Sequence, residues 1–354
     1  MSDGSNVDSN LLDALRKAQS GDIKGAEQTI QFIRSTWAVE NSPELMVNLM
    51  IIEGVCGVCS GKTDYARDRI SRALVVAKVS RRSECIYSAS AWMAYLYMIE
   101  GEMRKAADIV ISGCIGRPVN LVPLAEFRCA SILAVLFEYF GSSTAAASWF
   151  ERTRILASRT GLPGMYSSTL YNMAVARINA SYLSRLQNEE LKRDARLDLL
   201  LARSAFNYDD IAGVHVLDPL HYLIESQALY LCDQIPLAIE GVEKFLAGSA
   251  DVSNRFRIRG EFDLLRYKIA NDIIPNFDQV RRLESLMCIF HADDDLAIVK
   301  HVLAESFGIL GAVDVADRLR AESTSHLRLH KEMCESILLD FERASLLSSS
   351  VGLE

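Results

Sequence analysis

The chain consists of segments typical of helices, which follow one another in pairs joined by short polar turns. No stretch alternates apolar and polar residues over enough positions to predict a strand. All seven prolines lie at predicted helix boundaries. Ser42-Pro43 and Asp218-Pro219 each combine an N-cap residue with proline at the first helical position. The pattern therefore predicts an all-α protein.

A fixed spacing of glycine and alanine links these helical segments. Four glycines lie forty residues apart, and each is followed five residues later by alanine: Gly21, Gly61, Gly101 and Gly141 with Ala26, Ala66, Ala106 and Ala146. The pair returns at Gly311 with Ala316, and Asp233 with Ala238 keeps the same register. Glycine accounts for only 19 of the 354 residues, so this phasing is not a chance event. A period of this size predicts stacked helical hairpins.

Each phased position has a structural role within its hairpin. The glycine ends the first helix in a left-handed turn, a conformation that other residues adopt only at a cost. The alanine lies on the second helix, where it faces the first. Seven residues before each turn there is a small residue that lets two helices approach closely: Ala14, Gly54, Ala94, Ala134, Ser226 and Ala304.

The combination of small, turn-glycine and alanine positions resembles the tetratricopeptide repeat (TPR) over roughly residues 9–345. The resemblance implies a right-handed superhelix of about eight stacked antiparallel hairpins, covering residues 9–311 after a disordered segment 1–8. The period of forty exceeds the usual ~34 residues, so each helix is expected to be longer by about one turn. Repeats of this length occur in kinesin light chains, in bacterial peptide-responsive regulators and in the sensory halves of bacterial signalling proteins.

Two regions break the pattern. Gly141 and Asp233 are 92 residues apart, so a fifth hairpin at about 164–208 must be irregular, with helices expected near 165–184 and 189–207. The seventh hairpin, near Asn271, has Leu264 where a small residue is expected.

The last helix is predicted to run from 312 to 348, much longer than the other second helices. Its front half should pack on the final repeat, with Val315 and Leu319 facing inward. Its rear half carries an apolar stripe that no later part of the chain can cover: Ile337, Leu338, Phe341, Ala344 and Leu347. Three interpretations remain open: a capping helix, a homodimer through this helix, or a helix leading to an output domain outside the sequence. The last is favoured if the terminal Leu353-Glu354 is a cloning remnant.

Composition limits the class of partner. The net charge of −8 disfavours nucleic acid, because phosphate binding needs concentrated Lys and Arg. The longest apolar run, Cys129–Phe137, is far shorter than the ~20 residues of a membrane helix. The polar, acidic first ten residues are unlike a targeting segment. Eight scattered cysteines indicate buried small residues in a reducing compartment. We therefore expect a cytoplasmic protein with neither nucleic acid nor membrane as its partner.

Four motifs imitate chemical sites. Residues Cys56–Thr63 resemble a phosphate-binding loop, but Cys56 replaces the first glycine that such a loop needs. Cys56 and Cys59 form a CxxC pair with no second pair of zinc ligands nearby. His326 and His330, together with Glu322, share one helix face, and His291 precedes Asp293, Asp294 and Asp295. Packing, surface and capping roles account for all four, so the sequence predicts no catalytic residue, metal or cofactor. An enzyme or nucleotide or metal binder using these motifs is the second alternative.

A superhelix of this kind presents the first helix of each hairpin along its concave side. The groove positions that the TPR resemblance implies are Asn48, Val55, Tyr95, Met98, Arg128, Glu138, Tyr139, Gln227, Tyr230, His301 and Glu305. In the irregular hairpin Asn172 and Asn179, with Arg177, are further candidates, because asparagine amides can bracket a peptide bond. The resulting hypothesis is a non-enzymatic, regulatory or sensory module that binds a peptide or protein segment. The first alternative is the sensory half of a signalling protein, such as a cyclase or transcriptional activator.

The repeat register makes a stability prediction. Ala94→Leu and Ala134→Leu should each overpack a helix crossing and lower the free energy of unfolding by ~1–3 kcal/mol or more. Chemical denaturation measures this loss, and parent-like stability in both variants would show that the register is misplaced.

Overall fold

Sixteen α-helices make up the part of the chain that the structure describes. The computed structural model describes residues 4–114, 123–160, 163–186, 194–215, 217–249 and 252–346. Within these residues there is no strand, and neighbouring helices pack in consecutive pairs. The all-α prediction is therefore confirmed, together with the arrangement of the helices as hairpins.

The first four pairs are α1 (Gly4–Ser20) with α2 (Ile23–Thr36), α3 (Pro43–Cys59) with α4 (Thr63–Ser80), α5 (Ser83–Ile99) with α6 (Met103–Gly113), and α7 (Pro123–Tyr139) with α8 (Ser143–Thr160). The last four are α9 (Pro163–Leu186) with α10 (Ala195–Ala212), α11 (Asp218–Leu231) with α12 (Ile235–Gly248), α13 (Asn254–Ala270) with α14 (Phe277–Leu286), and α15 (Asp293–Ile309) with α16 (Val313–Arg343).

The phased positions take the conformations that the sequence predicts. All five phased glycines have a positive φ: 92° at Gly21, 70° at Gly61, 80° at Gly101, 84° at Gly141 and 79° at Gly311. Asp233, which replaces glycine in the same register, has a φ of 58°. The paired alanines are all buried against the first helices of their hairpins: Ala26, Ala66, Ala106, Ala146, Ala238 and Ala316.

Three boundaries differ from the sequence expectation. Helix α1 begins at Gly4, inside the segment 1–8 that was expected to be disordered, and Val7 packs against the core. The irregular fifth pair runs from 163 to 212 and is longer at both ends than the predicted 164–208. In the seventh pair Asp272 takes the left-handed turn conformation, one position after Asn271.

Helix α16 corrects the prediction of an uncovered apolar stripe. Its front half packs on α15 as expected, with Ser323 Oγ donating to the Ala297 carbonyl at 2.7 Å. Its rear half returns to the third and fourth pairs and joins their core, so Ile337 and Phe341 are fully buried there. The covering helices α6, α7 and α8 are distant in sequence, which is why the sequence alone could not reveal them. Leu347, the last residue of the predicted stripe, lies outside the described residues.

We call residues 330–346 the clasp, because they join the end of the chain to its first half. The ring of Phe341 lies 4.9 Å from that of Phe137, measured between centroids. Trp149 Nε1 donates to the Leu346 carbonyl at 3.1 Å. Arg104 pairs with Asp340 at 2.9 Å. The chain therefore closes on itself through packed rings, a hydrogen bond and an ion pair.

The clasp generates a second prediction. Phe341→Ala removes a ring from a packed site and should lower the free energy of unfolding by about 3–5 kcal/mol in urea denaturation. Leu339→Ala on the same helix is the matched control, since Leu339 is 52% exposed, and should change stability by about 0.5 kcal/mol or less. Equal losses for the two variants would contradict the clasp.

Candidate functional site

The predicted groove residues all lie on first helices of their pairs, but the structure encloses most of them. The buried members are Val55, Met98, Arg128, Glu138, Tyr139, Asn172, Gln227 and Tyr230. The half-buried members are Asn48, Tyr95, Arg177, Asn179, His301 and Glu305. None of them is exposed, so the faces of the first helices that carry these residues lie largely inside the protein.

Helix α9 accounts for part of this burial. No residue of α9 from Gly164 to Leu186 is exposed, and the helix contacts α1 and α15 as well as its neighbours in sequence. Tyr182 of α9 and Tyr267 of α13 share a hydrogen bond, with their hydroxyl oxygens 2.6 Å apart. A helix enclosed along its whole length belongs to the interior. It occupies space that an open superhelix would leave as a groove.

A row of charged residues on α13 faces this interior. Arg255, Arg259 and Asp263 follow one another at four-residue intervals and therefore share one face of the helix. Asp295 of α15 accepts hydrogen bonds from Arg255 at 2.5 Å and from Arg259 at 2.7 Å. Gln227 of α11 donates to Asp263 at 2.8 Å. These contacts tie α11, α13 and α15 together and give each charged residue of the row a partner.

Three tyrosines form an aromatic layer beside this row. The guanidinium of Arg266 lies 4.9 Å from the ring centre of Tyr182 and 4.7 Å from that of Tyr230. Tyr230 stacks on Tyr267 with centroids 4.8 Å apart. Burial, and after it the charge of Asp263, raises the pKa of Tyr267 well above its ordinary value. Tyr267 therefore stays a neutral phenol at physiological pH, and the layer acts in packing.

Two adjacent aspartates at the start of α15 have pKa values that are shifted in opposite directions. Burial by itself raises the pKa of Asp295, but the guanidinium groups of Arg255 and Arg259 outweigh this and lower it. Burial, and after it the neighbouring Asp295, raises the pKa of Asp294 above its ordinary value. Asp294 also faces His330 of the clasp. The pair of carboxyl groups thus lies at the junction between α15 and the clasp.

Arg128 of α7 is a buried arginine without an ion pair among the described residues, as is Arg266 of α13. Its side chain is 3% exposed, and its guanidinium lies 4.3 Å from the ring centres of both Trp92 and Tyr95. Its Nε and Nη1 atoms are buried without a hydrogen-bond partner, and no described carboxylate forms an ion pair with it. Burial lowers its pKa. A guanidinium held only between aromatic rings retains unused donors for an anionic group.

An open cleft of about 390 Å³ lies between α1, α3, α5 and α7. Its apolar lining residues are Leu11, Leu12, Leu15, Ile51, Ile52, Trp92, Leu124 and Ala125. Its polar lining residues are Asp8, Asn48 and Ser88. The cleft is thus an apolar site with a few hydrogen-bonding groups, the composition typical of ligand sites.

Arg128 lies one helical turn beyond this cleft. Leu124, which lines the cleft, and Arg128 are four residues apart and share one face of α7. On α5 the cleft residues Ser88 and Trp92 are followed by Tyr95, three residues after Trp92 and so near the same helix face. Trp92 contacts both the cleft and the guanidinium. The helix faces that form the cleft therefore continue along α5 and α7 to Tyr95 and Arg128, which do not line the cleft themselves but meet it through Trp92.

The sequence missed the wall contributed by α1, because the groove positions were transferred only from the second hairpin onward. A signal was present: Leu11 and Leu15 belong to the inward stripe of α1, whereas Leu12 does not and is 40% exposed. Only Asn48 of the groove candidates lines the cleft directly.

The motif Cys56–Thr63 lies at a helix-turn-helix junction. Residues 56–59 form the last turn of α3, where a phosphate-binding loop would follow a strand, and Lys62 donates its backbone N–H to the Gly57 carbonyl at 2.8 Å. Burial raises the pKa of Cys56 to about 11 and that of Cys59 to about 12. Both sulfurs are therefore protonated thiols at neutral pH.

The two histidines of α16 have separate partners. His326 Nδ1 lies 2.7 Å from Asp293, and its Nε2 lies 3.0 Å from Lys300. His330 is buried, with its Nε2 3.4 Å from Cys334 Sγ. Among the residues that the structure describes, no three His, Cys, Asp or Glu side chains are placed to hold a metal ion.

Comparison with known proteins adds no assignment: no protein-family model and no curated protein matches this chain. In the described ranges no helix is both long and apolar enough to cross a membrane.

The raised pKa of Asp294 gives a third prediction. Above the ordinary aspartate pKa of about 3.9, the folded protein keeps a proton that the unfolded chain has released, so stability falls as pH rises until the folded-state pKa is passed. Asp294→Asn removes this group. Its stability relative to wild type should rise with pH, by about 1.4 kcal/mol for each unit of pKa elevation.

Urea denaturation from pH 4 to pH 7 measures the effect. The control is Asp317→Asn, because the Asp317 side chain is exposed. An Asp294→Asn variant whose stability relative to wild type is flat or falling over this range would contradict the raised pKa.

Proposed function

We propose that this protein is a non-enzymatic binding module that holds an apolar segment of a peptide or protein in the cleft. The observation that supports the proposal is the origin of the cleft walls. Among the described residues the walls come from α1, α3, α5 and α7, and these are the first helices of four successive pairs. First helices form the inner surface on which stacked hairpins bind their ligands.

The lining favours a peptide segment over a strongly polar ligand. Eight of the eleven lining residues are apolar, and a volume of about 390 Å³ suits two or three apolar side chains. The Asn48 amide supplies both a donor and an acceptor, and the Ser88 hydroxyl can do the same, so both suit the backbone groups of a peptide. An apolar helix face or an extended segment could dock here through side-chain anchors.

The same proposal includes the finer fold assignment, a right-handed TPR-type superhelix. The forty-residue phasing, the left-handed turns at the phased glycines and the buried alanines support it. A regulatory or sensory role in the cytoplasm belongs to the proposal too, on the strength of the resemblance to long-repeat regulators.

A fourth prediction tests the cleft. Leu12→Asp places a carboxylate in the apolar wall, which should weaken binding of peptides selected from a random 12-residue library at least tenfold. Fluorescence polarisation with labelled peptides measures the change. Leu197→Asp on α10 is the control, because Leu197 is 58% exposed and lies outside the cleft. Both variants should melt like wild type, since both leucines are exposed.

Two results would count against the proposal. If the library yields no peptide that binds, the proposal that the ligand is a peptide segment is contradicted. Peptides whose affinity falls equally in the Leu12 and Leu197 variants would bind elsewhere on the protein.

A further inference from the structure

We propose that the segment bound in the cleft carries an acidic side chain, and that this carboxylate pairs with Arg128. The inference rests on the proposed function and adds the chemistry of one ligand group. It assigns Arg128 as the residue that determines specificity for charge at the inner end of the cleft.

The state of Arg128 is the first argument. Two of its guanidinium nitrogens are buried without an acceptor, and the described groups that influence its charge most strongly are Tyr95 and Cys59. Both Tyr95 and Cys59 have raised pKa values because they are buried, so neither supplies a negative charge at neutral pH. An unpaired buried cation is costly to retain. A carboxylate would satisfy its donors and its charge together.

The contrast with Arg255 strengthens this argument. Arg255 is half-buried, and it pairs with Asp295 and donates to the Ile99 carbonyl at 2.9 Å. Arg266 is buried between the rings of Tyr182 and Tyr230 with its Nη1 unpaired, but it lies within electrostatic reach of Asp263 and Glu305. Arg128 has no such carboxylate among the described residues, and of these arginines it is the one whose guanidinium contacts a ring of the cleft, Trp92.

Depth is the second argument, and it selects a side chain over a chain terminus. One helical turn, about 5.4 Å, separates the level of Leu124 from that of Arg128. A glutamate can span about this distance while its backbone stays in the cleft beside Asn48. A C-terminal carboxylate would bring backbone N–H and C=O groups against the rings of Trp92 and Tyr95, where they would lose their hydrogen bonds to water.

The test is a double-mutant cycle between protein and peptide. A library-selected peptide that loses affinity in Leu12→Asp is synthesised with each acidic residue changed to Gln or Asn, and separately with an amidated C-terminus. Wild type should bind one acidic peptide at least tenfold more tightly than its neutral partner. Arg128→Met should bind the two equally, and amidation should change the affinity less than twofold.

Two further variants control for folding. Arg128→Met should melt no lower than wild type, because it removes an unpaired buried charge, whereas Arg255→Met should melt lower because it leaves Asp295 with one partner fewer. If Arg128→Met does not fold, Arg128→Lys replaces it. Lysine keeps the charge but loses the planar stack, so the preference for the acidic peptide should fall at least threefold.

The outcomes separate the two proposals. Leu12-sensitive peptides that lose no affinity on neutralisation would overturn the assignment of Arg128 and leave the cleft as a peptide site. If affinity falls when the peptide C-terminus is amidated but not when its acidic side chains are neutralised, the carboxylate comes from the chain terminus and the proposed acidic side chain is wrong. Equal preference for the acidic peptide in wild type and in the Arg128 variant would overturn the pairing. If no binding peptide can be selected, both proposals are contradicted.

Discussion

The packing of Phe341 against Phe137 and Phe140 is the contact on which the rest of this structure depends. In an open array of helical hairpins each repeat contacts only its neighbours, and the two ends are independent. Here the last helix rests on the third and fourth pairs, about two hundred residues earlier in the sequence. The first helices therefore face an enclosed interior, in which α9 is covered along its whole length.

An enclosed interior requires partners for the polar groups on the inner faces, since a buried charge without one is costly. Asp295 lies between two guanidinium groups, and His221 lies 2.7 Å from Asp209. The first of these contacts joins α13 with α15, and the second joins the consecutive helices α10 and α11. Arg128 and Arg266 have no such ion pair among the described residues, and each guanidinium lies between aromatic rings instead.

The sequence predicts the features that are set within one hairpin, but not those that depend on the relative placement of many hairpins. The turn at Gly101 and the buried Ala106 follow from the conformational freedom of glycine and the close approach of two helices, both set within one hairpin. Whether Tyr139 lines a groove or lies in the core depends on the small rotation between successive hairpins, summed over the whole chain. Whether Phe341 can reach the third and fourth pairs depends on the same summed rotation between hairpins. The cleft wall from α1 was missed for a different reason, because its signal is one leucine outside the inward stripe.

Helix α7 connects the clasp to the cleft. Leu124 and Arg128 lie towards the N-terminal end of α7. Phe137 packs against the clasp near the C-terminal end, about 14 Å from Arg128 along the helix axis. A helix fixed at one end by packed rings presents a fixed wall at the other. The clasp thus holds one side of the cleft in place. Such preorganisation lowers the entropy lost on binding, and this favours the proposed docking of a segment in a cleft that would bury only a few side chains.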